Sequence, residues 1–385
     1  MNKYDVIIIG AGAAGLSAAG VLVGRGKRVA IIEMGQTPAR KVMASGGGRC
    51  NITNMAVSHT RFFGNNPNFV RGAISRITPS DILTWAEKHN IKLIEKTPGQ
   101  YFCVDGAGAV VDALIKDTTG ADFLYDTPIT TIVKTNDLFE INIRNKKYAA
   151  PSVILATGGI SFPTLGVSDT GYKIAKSFGH KIIPVRPALC AIATPVFTSD
   201  FAGISLNAEI TIGKNRIADS LLFTHFGIGG PATYRATLHD LSNGITLDLL
   251  PGIDLYQVLC DYKSKNGRRT LIGILGEYLP NKIAKWLVGD DKRNIADIKN
   301  IDLQHLVNKI KNICIPGEQI KLHGMQSAEV VCGGIDTNEV SSKTMESKLC
   351  SGLFFAGEAL DIAGDLGGFN LHWAWASGRV AGQNA

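Results

Sequence analysis

Glu33 stands eighteen residues beyond the last glycine of Gly10-Ala11-Gly12-Ala13-Ala14-Gly15. A carboxylate at that distance can accept hydrogen bonds from the ribose diol of a dinucleotide whose pyrophosphate lies on the glycines. Gly10 permits the tight turn, Gly12 lets the backbone approach the phosphates, and Gly15 lets the following helix pack closely. More than 300 residues later a second glycine-rich turn, Gly367-Gly368-Phe369-Asn370-Leu371, opens another helix, with Gly357, Glu358 and Asp361 just before it. Two such turns at opposite ends of a chain point to one extended ligand held at both ends, and FAD fits. Its ADP half would lie on the first turn. Its isoalloxazine would reach the second, where a helix N-terminus can stabilise negative charge on the reduced ring.

Two further segments bear on the same ligand. Ala156-Thr157-Gly158 is a small-residue turn where backbone can pass close to a nucleotide. Ser45-Gly46-Gly47-Gly48-Arg49-Cys50-Asn51 offers freely oriented amides, and Lys41 and Arg49 offer positive charge beside phosphate or flavin. Proton transfer has two candidates. Cys50 is brought in by the glycine loop, with Arg49 favouring its thiolate, and His225 lies within Thr224-His225-Phe226-Gly227. Packing roles for both side chains remain open alternatives.

The elements that must position these residues follow from pattern. Asp5-Val6-Ile7-Ile8-Ile9, Val29-Ala30-Ile31-Ile32, Pro151-Ser152-Val153-Ile154-Leu155 and Gly352-Leu353-Phe354-Phe355 read as strands buried on both faces of a parallel sheet. A helix from Ala14 to about Val23 aims its N-terminal amides at the phosphates, and a C-terminal helix runs through Trp373, Trp375 and Val380. After Pro187 the pattern changes to short strands over 188–194, 208–212 and 245–249, and then to helical spacing from about Leu255 to Ile313. Residues 6–24 superficially resemble a membrane or signal segment, but five glycines and the companion Glu33 favour the nucleotide reading.

Composition constrains the rest. A chain of 385 residues with 45% hydrophobic content can fill two or three domain cores. Seven scattered cysteines without a CxxC indicate no zinc site, no metal centre and no redox disulfide, and suit reduced thiols in a cytoplasmic protein. The net charge of +7 is uneven: nine basic residues lie between Arg25 and Arg76 against the single acid Glu33. That stretch, with Lys263, Lys265, Arg268 and Arg269, is an expected attraction for an anionic substrate.

The motifs Gly10-Ala11-Gly12-Ala13-Ala14-Gly15, Ser45-Gly46-Gly47-Gly48-Arg49-Cys50-Asn51, Phe223-Thr224-His225-Phe226-Gly227, Thr344-Met345-Glu346-Ser347-Lys348 and Gly367-Gly368-Phe369-Asn370-Leu371 together resemble the BaiN/RdsA family of NAD(P)/FAD-dependent oxidoreductases. The resemblance implies an α/β fold with a Rossmann-like FAD-binding domain split over 1–186 and 326–385. It also implies an insertion over 187–325, β-barrel-like at 187–250 and about 316–325 and helical at 251–315. It implies reduction of an activated C=C bond with NAD(P)H as transient donor. The acceptor would be a ribosomal RNA uridine converted to dihydrouridine, or alternatively a small enone. Ala363, His372 and Gly229 depart from the family pattern. A flavin-dependent oxidase or dehydrogenase of a small amine or hydroxy acid is a further alternative.

Overall fold

Val6, Ile7, Ile8 and Ile9 are all buried, and so are Val29, Ala30, Ile31 and Ile32. Strands covered on both faces pair in parallel, and these two form the middle of a five-stranded sheet ordered 353–355, 152–155, 6–9, 29–32, 122–124. The computed structural model describes residues 2–129, 131–143 and 146–385. They fall into two compact units, Met1–Pro187 with Glu329–Ala385, and Ala188–Ala328.

In the first unit, register determines where the chemistry can be. Ile9 pairs with Ile32 on one side and Leu155 on the other, and Leu155 pairs with Phe355. The carboxyl ends of four strands therefore stop in one row, delivering Gly10, Glu33, Ala156 and Ala356 side by side. Strand order also reverses between Val6–Ile9 and Ser152–Leu155, the switch point where open α/β sheets bind ligands. The helix Ala13–Gly24 follows the first turn, and the helix Phe369–Asn384 lies against it. A Cβ on Gly378 would come 2.3 Å from the Ala14 carbonyl oxygen, and one on Gly382 would come 2.6 Å from that of Ala18. Backbone meets backbone there, and this contact joins the two ends of the chain. The unit also holds a sheet of residues 131–135, 138–143 and 146–150, antiparallel but with residues 2–3 added in parallel beside 146–150, and an antiparallel sheet of 51–54, 93–97 and 100–103.

The second unit has its own core. Its seven strands run antiparallel in the linear order 313–315, 245–248, 205–212, 215–224, 227–229, 192–193, 321–322. Helices Leu255–Lys265, Leu271–Leu275, Asn281–Val288 and Asn300–Lys311 supply the rest. Phe197 and Phe201 pack edge-on against Phe223 and on Trp286. The sequence reading needs three corrections. The strand expected over 188–194 is only Ile192–Ala193. Ile313–Ile315 belongs to the sheet rather than to the helical stretch. Asn215–Thr224, the longest strand, was not anticipated, because Arg216, Asp219 and Ser220 obscure the inward residues Ile217, Leu221 and Phe223. Among the described residues no helix is long and apolar enough to cross a membrane.

A candidate dinucleotide site along the strand ends

The three glycines of the first turn do different work. Gly10 has φ +106°, and a Cβ there would come 2.4 Å from the Ala156 carbonyl oxygen. A Cβ on Gly15 would come 1.9 Å from the Gly10 carbonyl oxygen. Both are required by the protein's own packing. Gly12 is not: its φ is −83° and nothing lies within 4 Å of where a Cβ would project. Ala13 and Ala14 begin the helix directly behind it. An open space at a helix N-terminus beside a side-chain-free backbone fits a pyrophosphate.

Glu33 sits at the next strand end. Its carboxylate accepts from the Ala11 amide at 2.9 Å, the Gly35 amide at 2.8 Å and Arg40 Nη2 at 3.1 Å. Of about four lone-pair positions on a carboxylate, three are engaged. The acid thus braces the glycine turn from behind and retains one position for a hydroxyl.

The glycine loop is tighter than its sequence suggests. Arg40–Ala44 is a short helix, Ser45–Gly48 a 3₁₀ turn with Gly46 and Gly47 left-handed, and Asn51–Asn54 a strand. Ser45 Oγ donates back to the Val42 carbonyl at 2.7 Å, while residues 46–48 and Arg49 are exposed. Lys41 is not a free cation beside phosphate. Its Nζ is 2.6 Å from Glu358 Oε2 and 2.7 Å from Ser161 Oγ, so it ties the loop to the last strand end. Cys50 also departs from expectation. It is fully buried, and burial pushes its thiol up to about 12, against any thiolate stabilised by Arg49.

At the start of the C-terminal helix, Gly367 and Gly368 have φ of +105° and +93°, and a Cβ on Gly368 would come 2.7 Å from Asn51 Oδ1. Asn51 Nδ2 donates to Gln100 Oε1 at 2.9 Å, leaving Oδ1 buried without a partner. Three expected contacts are engaged within the protein instead. Asn370 closes the turn beneath it, accepting from the Gly364 amide at 2.7 Å and donating to its carbonyl at 2.8 Å. Asp361 is buried and accepts from the Asn65 amide at 2.9 Å. Phe369 is a core ring, edge-on to Phe62. Leu371 is half-buried in the first helical turn. Gly357 is held by Ser377 Oγ, which accepts from its amide at 2.9 Å, and by Trp373 Nε1, which donates to its carbonyl at 3.1 Å.

His372 lies fully buried one turn into that helix. Its Nε2 is 3.0 Å from the Ile77 carbonyl, an acceptor only, so Nε2 carries the proton and Nδ1 accepts from Thr53 Oγ1 at 2.9 Å. Burial lowers its pKa to about 4, and the imidazole is a neutral clamp. Gln100 and Ser161 escaped sequence reading because their partners Asn51 and Lys41 lie far along the chain. Thr157 abuts Gly171, while Gly158 has φ +72° and open space before it. His225 belongs to the second unit, exposed at the turn after Asn215–Thr224.

The basic stretch is largely engaged. Arg25 donates to the Gly382 carbonyl, Arg40 and Lys41 pair with Glu33 and Glu358, Arg61 pairs with Asp365, Arg71 meets His59, and Arg76 donates to the Lys343 carbonyl. In the second unit Lys263 holds the Ile298 carbonyl, Lys265 pairs with Asp261 and Arg269 with Glu277. The expected attraction for an anion is correspondingly reduced. Among the described residues no group of three or more His, Cys, Asp or Glu gathers as a metal site.

A family model described as the HI0933-like protein Rossmann domain matches residues 4–384. A ribosomal RNA dihydrouridine synthase of Haemophilus influenzae is 37% identical over 395 residues, covering 98% of this chain and 97% of its own. One of the same name from Escherichia coli is 34% identical over 395 residues, covering 100% and 98%. A 3-dehydro-bile acid delta(4,6)-reductase of Clostridium scindens is 29% identical over 416 residues, covering 100% and 99%. The row of strand ends and these full-length similarities agree: the chain belongs to the HI0933-like Rossmann family of flavoprotein oxidoreductases.

Proposed function

We propose that the first unit holds FAD with its pyrophosphate over Gly12, and that the protein reduces the C5=C6 bond of a ribosomal RNA uridine with NAD(P)H as donor. The observation that carries the cofactor is Gly12, a glycine that the protein's own packing does not require. The relatives of 37% and 34% identity, both named for dihydrouridine synthesis in ribosomal RNA, support the acceptor. FAD, when bound, supplies the hydride for such a reduction. Around it the chain's residues have separable tasks. The helix Ala13–Gly24 offers its amides to the pyrophosphate, and Glu33 offers its remaining lone pair to the adenosine ribose. The Lys41–Glu358 pair fixes the glycine loop against the last strand end. Asn51 Oδ1, beside Gly368, is an unpaired acceptor for an N–H of the ring. Asp361, Phe369 and Asn370 shape the wall from behind.

The reaction also needs a proton, and Cys50, sealed in the core, is not placed to give it. The test of the reading has two parts. Denatured protein should release FAD, and RNA treated with protein and NADPH should gain two hydrogens on a uridine by mass spectrometry. A second reading, reduction of a small enone, is favoured by the bile-acid reductase relative. Rapid enone turnover with no mass gain on any transcript would select it.

A further inference from the structure

Two rings in the second unit lie almost perfectly parallel. Phe226 and His323 have centroids 4.2 Å apart and planes 5° apart, and His225 meets Phe226 edge-on at 4.8 Å and 89°. A stack serving only to bury apolar surface would be covered, yet His225 and His323 are exposed and Phe226 half-buried. The rings are held firmly. The Phe226 carbonyl accepts from the Thr194 amide at 3.0 Å, and the His323 amide donates to the Ala191 carbonyl at 2.9 Å. A Cβ on Gly227, next to the stack, would come 2.2 Å from the Ile192 carbonyl oxygen, so the turn carrying Phe226 cannot relax. Ser327 Oγ donates to the His323 carbonyl at 2.6 Å, so it must accept from Nδ1–H at 2.8 Å. That fixes the ring and leaves Nε2 as a free acceptor on the neutral imidazole.

We propose that Phe226 and His323 form a stacking platform for one unpaired base of an RNA strand. The inference rests on the RNA reading above and names a surface of the second unit that would hold one base of the strand. Among the described residues no other ring stacks on His323. Its open face is flat and heteroaromatic, with a polar edge at Nε2, which matches a nucleobase in both shape and hydrogen bonding. A steroid is thick and largely saturated, and would require apolar walls rather than an imidazole shelf. Lys321, exposed two residues before His323, places a cation where the strand's phosphate would run. An unpaired base can settle on an aromatic shelf held in place beforehand without the cost of ordering the shelf on binding.

The test is fluorescence anisotropy with full-length protein, using a labelled uridine dodecamer and an abasic strand of equal length. Stacking on one aromatic side chain is worth about five- to 150-fold in affinity. His323→Ala should therefore weaken the uridine strand by at least about fivefold, leave the abasic strand unchanged and preserve the salt dependence. His323→Phe should retain binding, and unchanged thermal melting of both variants keeps the comparison sound. Equal losses on both strands, or no loss with His323→Ala, would overturn the platform. If wild-type protein still adds two hydrogens to RNA in that case, the platform alone fails. If it binds neither strand and reduces a small enone, the RNA reading fails and the platform with it.

Discussion

Gly12 and Gly15 are three residues apart and are expected to fail in opposite ways. Gly15→Ala drives a methyl group into the Gly10 carbonyl, so the fold should lose about 1–3 kcal/mol or more in denaturant titration. Gly12→Val meets open space and should leave unfolding of the flavin-free protein almost unchanged while abolishing the bound chromophore. Loss of stability in the flavin-free Gly12→Val protein would undo the assignment. His372 makes a different prediction. Its pKa is lowered from 6.5 to about 4 in the fold, so the unfolded chain binds the proton more readily. Its contribution is intact above about pH 6.5 and is lost as pH falls toward 4. Between pH 7 and pH 5 the loss is about 2 kcal/mol. The amide of His372→Gln can still donate to Ile77 and accept from Thr53, so that variant should lose less stability over the same interval. Equal pH dependence of the two proteins would show that His372 carries no such linkage.

Among the elements, the pairing of the helices Ala13–Gly24 and Phe369–Asn384 determines whether a two-ended ligand can be held at all. Gly378→Ala places a methyl group 2.3 Å from the Ala14 carbonyl oxygen, and overpacking of that kind costs about 1–3 kcal/mol. Flavin retention should fall with it, although residue 378 is not proposed to touch the ligand. A variant with normal retention and a lowered melting point would mean that the two turns are held together by other contacts. This contact also marks how far sequence reading reaches. The strands at Val6, Val29, Val153 and Leu353 and both glycine turns were legible because buried parallel strands and helix-opening glycines carry local signatures. The partners of Lys41 and Asn51 were not, because the pairs Lys41 with Glu358 and Asn51 with Gln100 exist only once distant segments meet. Asn370 misled for a local reason: its amide suits a ligand, but the backbone of Gly364, six residues earlier, already uses it.

Across the whole molecule, net charge is a poor guide to the anion-binding surface. Of the nine basic residues between Arg25 and Arg76, seven have partners within the chain, Arg28 lying over the Tyr4 ring, which leaves Lys27 and Arg49. Two cations at about −0.7 each give this stretch a log–log salt slope for single-stranded RNA of about −1.4, against roughly −6 if all nine acted. Affinity measured from low to high salt checks this, and a slope near the larger figure would mean that the internal pairs open on binding.

The backbone contact of Gly378 and Gly382 with the first helix has a consequence for how the protein is made. Some 345 residues separate Gly24 from Phe369, which is roughly half a minute of synthesis at about ten residues per second. Throughout that interval Ala14 and Ala18 have no C-terminal helix to cover them, and the second unit can fold while the first is still unfinished. Nascent chains arrested before residue 369 should therefore yield to protease in the first unit while the second resists, with flavin captured only after the last helix emerges.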